Sequence, residues 1–256
     1  MDLELNNKNA LVGGSTQGIG KATAFALAKE GVNITLIARN EDKLKEVLTE
    51  LPKDRKHGYI VADFSNPDNL KKQLGHKGNF HILVNNTGGP KSGLIQSAAP
   101  EEFRNAFNMH VICNQILVQH SLDYMKSEGF GRIINIISTS VKEPIPGLGV
   151  SNTIRNAVAN WAKTLAGELA SFGITVNNVL PGFTDTARLD QIIKIKAERE
   201  GTTQAEMAEI MKGYVPAKRF GKAQELADAI TFLASAKASY INGINLPVDG
   251  GRTKSL

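Results

Sequence analysis

The feature that most limits how this chain can fold is a regular alternation of short apolar runs with longer amphipathic stretches. Runs such as Ile34–Ile37 and Ile133–Ile137 are apolar almost throughout, which is typical of strands covered by helices on both faces. Helical patterns such as Lys21 to Glu30 and Glu41 to Glu50 lie between such runs. Strands are predicted over Asn9 to Val12, Asn33 to Ala38, Tyr59 to Val61, His81 to Val84, Arg132 to Ile137, Thr175 to Leu180 and Ile244 to Val248. The alternation predicts an α/β fold with a doubly wound, mostly parallel sheet of the Rossmann type.

Two longer segments depart from this rhythm. Ser151 to Phe172 is predicted to form one long helix, because its apolar residues share one stripe and Gly173 follows its end. Ala187 to Met211 is charged, rich in helix formers and placed after the carboxyl end of a strand, where a mobile lid is commonly found. With 256 residues and no internal repeat or linker, the chain is expected to form a single domain over residues 1–256, with a helical lid insertion at about residues 187–211.

The composition narrows the classes of protein to consider. The formal charge is +5, but the basic residues are scattered among acids such as Glu41 and Asp42, so no nucleic-acid partner is expected. Cys113 is the only cysteine, and it leaves neither a disulfide framework nor a clustered metal site. No apolar run reaches the length of a membrane span, and the first residues lack a signal-like pattern. We therefore expect a cytoplasmic protein without membrane contact.

A glycine-rich turn follows the first predicted strand. Gly14, Gly18 and Gly20 lie between that strand and a helix that begins near Lys21. Glycines allow a tight turn and let backbone N–H groups approach a pyrophosphate, which the positive end of the helix also favours. The turn predicts a bound dinucleotide, and the alternative is a purely structural turn in an α/β protein.

Further short motifs follow the predicted strands in a fixed order. They are Asp63 after the third strand, Asn85–Gly88 after the fourth, Gly131–Asn135 leading to Ser138, Pro181–Gly182 after the sixth, and Val248–Gly251 near the end. Together with the G-x-x-x-G-x-G spacing of the glycine turn, this set resembles the short-chain dehydrogenase/reductase family along nearly the whole chain. Within the family, the sequence is most similar to the bacterial 3-oxoacyl-carrier-protein reductases, and particularly to an atypical subgroup.

The resemblance implies which residues hold a nicotinamide dinucleotide. It gives the pyrophosphate to Gly14, Thr16, Gln17, Ile19 and Gly20, the adenine to Asp63 and Phe64, and the ribose of the adenosine to Asn86 and Gly88. It also gives the nicotinamide to Pro181, Gly182 and Thr184. Each of these residues follows the carboxyl end of a strand, where ligands bind in open α/β sheets.

The end of the second predicted strand bears on the choice between NADP and NAD. Ala38 stands where NAD-preferring members of the family usually carry an acid for the ribose hydroxyls. Without that carboxylate a 2′-phosphate is not repelled. The guanidinium group of the neighbouring Arg39 can donate two charge-assisted hydrogen bonds to this phosphate. NADP is the expected cofactor and NAD the alternative. An exposed surface arginine with no ligand is the other interpretation of Arg39.

The family's catalytic pattern is only partly present. Relatives reduce carbonyls with a tyrosine acid, a lysine four residues later, a serine that positions the carbonyl, and an asparagine that anchors a water. Ser138 matches the serine, whereas the alignment of Asn160–Leu165 puts Ser151 at the tyrosine and Arg155 at the lysine. A serine hydroxyl is a far weaker acid than a phenol, but arginine keeps the positive charge and can donate to ribose hydroxyls. We therefore expect this site to bind the cofactor still, but not to carry out the acid catalysis that a tyrosine performs.

The asparagine position falls on His110, which is the one side chain of this set that titrates near neutral pH. We hypothesise that His110 protonates the alkoxide through a water or through Ser151, and the alternative is a structural histidine in a helix. Thr87 and Gly89 also depart from the family's usual Asn-Asn-Ala-Gly, a change able to alter the floor of the substrate pocket.

Two functions from different classes follow from these residues. The first is an NADP-dependent oxidoreductase, similar to 3-oxoacyl-carrier-protein reductases, that acts on a small-molecule or acyl-chain carbonyl substrate. The second is a dinucleotide-binding sensor or scaffold subunit that has lost hydride transfer. The resemblance also implies a homo-oligomer, either a dimer or a tetramer.

Overall fold

A parallel sheet of seven strands organises the chain in the computed structural model, which describes residues 1–76 and 79–255. Its strands are β1 Asn9–Gly13, β2 Asn33–Ala38, β3 Gly58–Val61, β4 Ile82–Asn85, β5 Gly131–Ile136, β6 Ile174–Pro181 and β9 Asn245–Val248. Two further short strands, β7 Thr184–Asp185 and β8 Gly221–Lys222, pair with each other in a separate small sheet. The order in the large sheet is β3-β2-β1-β4-β5-β6-β9, and all of its strand pairs are parallel. This confirms the doubly wound α/β fold.

The chain reverses its direction across the sheet between β1 and β4, where Ala10 pairs with Ile82. A crevice opens at such a switch point, above the carboxyl ends of the strands. The predicted cofactor motifs after β1, β3, β4 and β6 all begin at this edge.

Helices cover both faces of the sheet. They are α1 Gly18–Lys29, α2 Glu41–Glu50, α3 Pro67–Leu74, α4 Pro100–Phe107, α5 Cys113–Ser127, α6 Gly149–Leu169, α7 Ala187–Glu200, α8 Gln204–Gly213 and α9 Ala223–Ala234. Helices α1, α2 and α9 pack on one face, with Leu27, Leu44 and Ile230 fully buried. Helices α3, α5 and α6 pack on the other face through Leu70, Leu117 and Ala162 among others. The burial of both faces explains why the strands are apolar throughout.

A row of asparagine amides crosses four neighbouring strands. Asn85, Asn135, Asn178 and Asn245 are register partners on β4, β5, β6 and β9. Each Nδ2 of the first three donates to the Oδ1 of the next residue in the row, at 2.8 Å in every case. At the β4 end, Oδ1 of Asn85 is buried without a hydrogen-bond partner.

The structure differs from the sequence-based expectations in local detail. His81 precedes β4 rather than opening it, and its Nδ1 accepts a hydrogen bond from the Asn9 amide at 3.0 Å. The long helix begins at Gly149 and ends at Leu169, followed by a 3-10 turn. The segment expected as a lid consists of two helices, because Gly201 has a φ of +68° and Thr203 starts a new helix with a capping box.

The helices of the described ranges include none with the length and apolar composition needed to cross a bilayer. Among the same residues, no group of three or more histidine, cysteine or acidic side chains is placed to hold a metal ion.

Candidate active site

Close backbone packing shapes the glycine turn between β1 and α1. Gly14 and Gly18 both have a φ of +56°, which side chains disfavour. A Cβ on Gly20 would lie 2.3 Å from the carbonyl oxygen of Gly14, and one on Gly13 would lie 2.6 Å from that of Asn86. The Asn86 side chain fixes this arrangement, since its Nδ2 donates to the Gly13 carbonyl at 3.1 Å.

The amino end of α1 has the features of an anion cradle. Gln17 precedes the helix but its side chain caps no amide, whereas Asn40 and Asn66 cap α2 and α3 through their side chains. The first turn of α1 carries no acid. In the same turn, Oγ of Ser15 is buried without a partner. Free amides at a helix amino end and a glycine turn suit a pyrophosphate, so the residues present fit a dinucleotide.

The adenosine end of the crevice is formed after β2, β3 and β4. The Asp63 carboxylate accepts from the Ser65 amide at 2.9 Å. The Phe64 side chain is buried in the core, and the carbonyl of this residue accepts from Cys113 Sγ at 3.2 Å. Burial raises the pKa of the Cys113 thiol to about 12, with the Asp63 charge adding to the effect. Arg39 is exposed at the end of β2, and the ion pairs of the described residues do not include it.

The expected nicotinamide segment after β6 is held from two sides. Gly182 lies so close to the chain before the carboxyl-terminal tail that a Cβ on it would be 2.6 Å from Cα of Asp249. Thr184 is buried, and its hydroxyl donates to the Gly182 carbonyl at 3.3 Å. Two residues on, Thr186 reaches the glycine turn, because its Cγ2 would be 3.3 Å from a Cβ on Gly18. The segment from Pro181 therefore spans the crevice between the sheet edge and the glycine turn.

Ser138 lies just beyond β5 and keeps its hydroxyl proton available. Its Oγ accepts a hydrogen bond from the Ser140 amide at 3.1 Å. The carbonyl of Ile136, two residues earlier, accepts from Nη1 of Arg155 at 3.1 Å. This contact joins α6 to the end of β5, so Arg155 lies beside the strand end that leads to Ser138.

Ser151 and Arg155 occupy one face of α6, four residues apart. Both are nearly buried, at 9% and 8% exposure. Burial and the neighbouring Arg188 guanidinium lower the pKa of Arg155 to about 10, so it stays protonated at neutral pH. The pair therefore supplies a hydroxyl and a fixed positive charge where the family's pattern has a phenol and an amine.

His110 lies in a π-helical turn, Asn108–Ile112, that joins α4 to α5. It is 2% exposed, and its Nδ1 makes a 2.8 Å hydrogen bond with Oγ1 of Thr87. Nε2 is buried without a partner. Burial and the charge of Arg155 lower the pKa of His110 to about 2. A neutral imidazole in this environment counts against His110 as the proton donor and favours a structural role.

The four tyrosines lie elsewhere. Tyr59 donates to Glu41, Tyr124 packs against His81, and both are bonded away from the crevice. Tyr214 is 62% exposed after α8, and Tyr240 is fully exposed. None of them stands at Ser151, so the chain has no phenol at the expected position of the acid.

Sequence reasoning missed three site residues. Thr87 departs from the family's motif, and the structure places it as the hydrogen-bond partner of His110. Arg188 donates to the Pro90 carbonyl at 3.3 Å, and Arg252 donates to Oγ1 of Thr139 at 3.2 Å. The paired departure at Thr87 and His110 was the one available signal of a contact, because both lie in motifs at the same sheet edge.

Comparisons with known proteins agree with this geometry. Residues 14–253 match the family model described as enoyl-(acyl carrier protein) reductase. The NADPH-dependent reductase BacG of Bacillus subtilis is 29% identical over 98% of this chain and 100% of its own length. The 3-oxoacyl-carrier-protein reductase FabG of Haemophilus influenzae is 34% identical over 96% of this chain and 98% of its own.

A solved structure leads to the same family. L-sorbose reductase from Gluconobacter frateurii, complexed with NADPH and L-sorbose, has a TM-score of 0.92 and 30% identity, with 100% of both chains covered. The relatives and this structure confirm the resemblance that the motifs indicated. This chain is a member of the short-chain dehydrogenase/reductase family of oxidoreductases.

Proposed function

We propose that this protein is an NADP-dependent reductase of a small-molecule or acyl-chain carbonyl. The observation that carries the proposal is the uncapped glycine cradle of α1, which shares one sheet edge with Ser138 and Arg155. A dinucleotide extended from that cradle would reach the segment of Pro181, Gly182 and Thr184 with its nicotinamide. The NADPH relatives and the exposed Arg39 support the choice of NADP over NAD.

When bound, NADPH supplies the hydride, and the chain's own residues bind and orient the reactants. Ser138 donates a hydrogen bond from its hydroxyl to the carbonyl oxygen, while its Oγ accepts from the Ser140 amide. Arg155 donates to the ribose hydroxyls and keeps a positive charge near the developing alkoxide. Since His110 is neutral and Ser151 is not acidic, the proton comes from water.

A 3-oxoacyl thioester is the first substrate to test. FabG proteins are among the similar relatives, and this chain departs from the family's pattern in having Ser151 at the position of the phenol acid. The sugar reductase among the solved structures makes a polyhydroxy ketone the second choice. Each substrate class shares the carbonyl that Ser138 would position.

The cofactor is tested by fluorescence titration of NADPH and NADH against the wild type and Arg39→Ala. We expect Arg39→Ala to weaken NADPH about 10-fold or more, because a charge-assisted fork to the 2′-phosphate is lost, and to leave NADH unchanged. Equal wild-type affinity for the two nucleotides would contradict the preference.

Chemistry is tested by NADPH oxidation across a carbonyl panel that includes 3-oxoacyl thioesters and keto sugars. Oxidation that depends on Ser138, lost in Ser138→Ala with NADPH affinity retained, is the expected result. Tight NADPH binding without oxidation of any member would instead favour the sensor or scaffold, which the missing phenol and the neutral His110 support.

We extend the proposal to the lid and the assembly. Helices α7 and α8 pack on each other through Leu189, Ile193, Met207 and Met211, and would move as one lid over the crevice. The exposed apolar side chains of Leu94, Ile95 and Phe107 support a dimer or tetramer, which light scattering would measure. The proposed location is the cytoplasm.

A further inference from the structure

The arginines of the described residues fall into two groups. One group lies beside a carboxylate: Arg55, Arg104, Arg199 and Arg219. The salt bridges of the described residues contain none of the second group: Arg39, Arg132, Arg155, Arg188 and Arg252. A cation without a counter-charge is weak evidence for an anionic ligand when the cation is on the surface. It is strong evidence when the cation is buried in a cleft.

Three members of the second group are accounted for. Arg132 is buried, but donates to the carbonyls of Ser235, Gly131 and Gly173. Arg39 is assigned to the 2′-phosphate. Arg252 lies 4.4 Å from the centre of the Phe183 ring and donates to Thr139, so it ties the carboxyl-terminal tail to the loop of Ser138. Arg155 and Arg188 are left.

These two arginines approach the same short segment, residues 89–90. Nη2 of Arg155 lies 3.8 Å from the position that a Cβ on Gly89 would take. Arg188 is exposed, and its Nη2 donates to the carbonyl of Pro90, the next residue, at 3.3 Å, so Arg155 is the buried cation of the pair. Arg155 belongs to α6, and Arg188 belongs to the first turn of α7 in the proposed lid. The loop after β4 therefore has two guanidinium groups beside it.

Arg155 lacks a carboxylate partner among the salt bridges of the described residues. It is 8% exposed and donates to the Ile136 carbonyl. The neighbouring His110 leaves Nε2 buried without a partner. Ribose hydroxyls would take up hydrogen bonds from Arg155 but would not neutralise its charge. A buried positive charge in low dielectric is stabilised by an anion, and a second cation at the same loop raises that demand.

We propose that Arg155 and Arg188 bind an anionic group of the carbonyl substrate, so that the preferred substrates are oxo acids rather than neutral ketones or esters. The inference rests on the proposed reductase function and narrows its substrate class, because it ranks oxo acids above the thioesters and keto sugars of the first carbonyl panel. The pyrophosphate of the cofactor is the other anion that could meet Arg188, because Thr186, two residues earlier in the chain, packs at Gly18 of the glycine turn.

The test compares Arg188→Gln with the wild type on a series of short oxo acids and their methyl esters, which keep the carbonyl and lose the charge. Arg199→Gln is the matched control, since it removes one positive charge from the other end of α7, where Arg199 pairs with Glu200. We expect Arg188→Gln to lower kcat/KM for the acids about 10- to 100-fold, mostly through KM, with the esters unchanged. The affinity for NADPH should stay the same, as should all values for Arg199→Gln.

The result that overturns the inference is also defined. Equal kcat/KM for acids and esters would show that no anion is recognised, while the reductase function stands. A parallel loss of NADPH affinity and of both substrate types in Arg188→Gln would assign the arginine to the pyrophosphate and likewise overturn it.

A binding measurement separates this inference from the reductase proposal. Calorimetry of the oxo acids with the NADP⁺ complex needs no turnover, because the oxidised cofactor donates no hydride. Binding that is lost in Arg188→Gln and kept in Arg199→Gln supports the anion site even if no substrate is reduced. No binding by any acid of the series overturns it.

Discussion

The glycine turn after β1 and the first turns of α6 lie at the same edge of the sheet, but their residues are held by different means. In the turn, backbone atoms of Gly14 and Asn86 occupy the space that a side chain on Gly20 or Gly13 would need. On α6, Ser151 and Arg155 are held by a helix whose geometry barely depends on which side chains stand there. Cofactor binding thus depends on backbone packing, whereas the proton chemistry depends on side chains that can be substituted without changing the backbone. A family member can lose the second and keep the first.

The sharpest way to break this comparison is Gly20→Ala. A Cβ there would lie 2.3 Å from the Gly14 carbonyl and 2.8 Å from Nδ2 of Asn86, so the turn must distort. We expect NADPH binding to be lost and the free energy of unfolding to fall by about 1–3 kcal/mol. Fluorescence titration and urea denaturation measure the two effects.

Gly167→Ala is the matched control for the same change in α6. Gly167 is exposed and a Cβ on it would meet no atom within 4 Å, so the helix should gain about 0.5–1 kcal/mol. NADPH affinity should not change. A tolerant Gly20→Ala with full NADPH affinity would show that backbone packing does not decide cofactor binding.

A second prediction sharpens the contrast at Arg155. Arg155→Met should weaken NADPH about 10-fold or more, because the donor to the ribose hydroxyls is lost, and should lower turnover. Arg155→Lys should restore much of the NADPH affinity, because an ammonium group also donates to hydroxyls. If Arg155→Met kept wild-type NADPH affinity, the arginine would be free of the ribose and its role would be with the substrate alone.

A third prediction concerns His110 and pH. The folded state lowers the pKa of His110 from 6.5 to about 2 through burial first and Arg155 second. Below pH 6.5 the unfolded chain binds a proton that the folded chain does not, so stability falls as the pH falls and is unaffected well above 6.5. The slope from this one group approaches about 1.4 kcal/mol per pH unit.

His110→Gln should remove this contribution. Urea denaturation between about pH 7.5 and about pH 5 should show a smaller loss of stability in the variant than in the wild type. His76→Gln, at an exposed histidine after α3, should behave as the wild type does. An equal loss in His110→Gln and the wild type would mean that His110 titrates normally, which would revive it as a candidate acid.

The regular parts of the fold could be predicted because each strand is buried on both faces and is therefore apolar along its whole length. The expected strands agree with the sheet to within a residue or so at most ends, and the cofactor motifs follow the strands as expected. The glycine turn could be predicted for a similar reason, since a positive φ and close packing leave a signature in residue type.

Other features could not be predicted from the sequence. The two-residue strands β7 and β8 are too short to produce a periodic pattern, and the π-helical turn at His110 leaves no composition signal. The pairing of Thr87 with His110 and of Arg188 with Pro90 joins residues that are 23 and 98 positions apart. Such contacts exist only once the sheet edge has been assembled.

The amide row from Asn85 to Asn245 has a consequence for how substrate could enter. Each central member donates to one neighbour and accepts from the other. If two strands slid or moved apart, buried amide groups on both of them would lose their hydrogen-bond partners. These hydrogen bonds hold the four strands together, so the sheet at the floor of the cleft has little freedom to open. Entry and release of ligands would then depend on the proposed lid of α7 and α8, whose two helices pack on each other through Leu189, Ile193, Met207 and Met211.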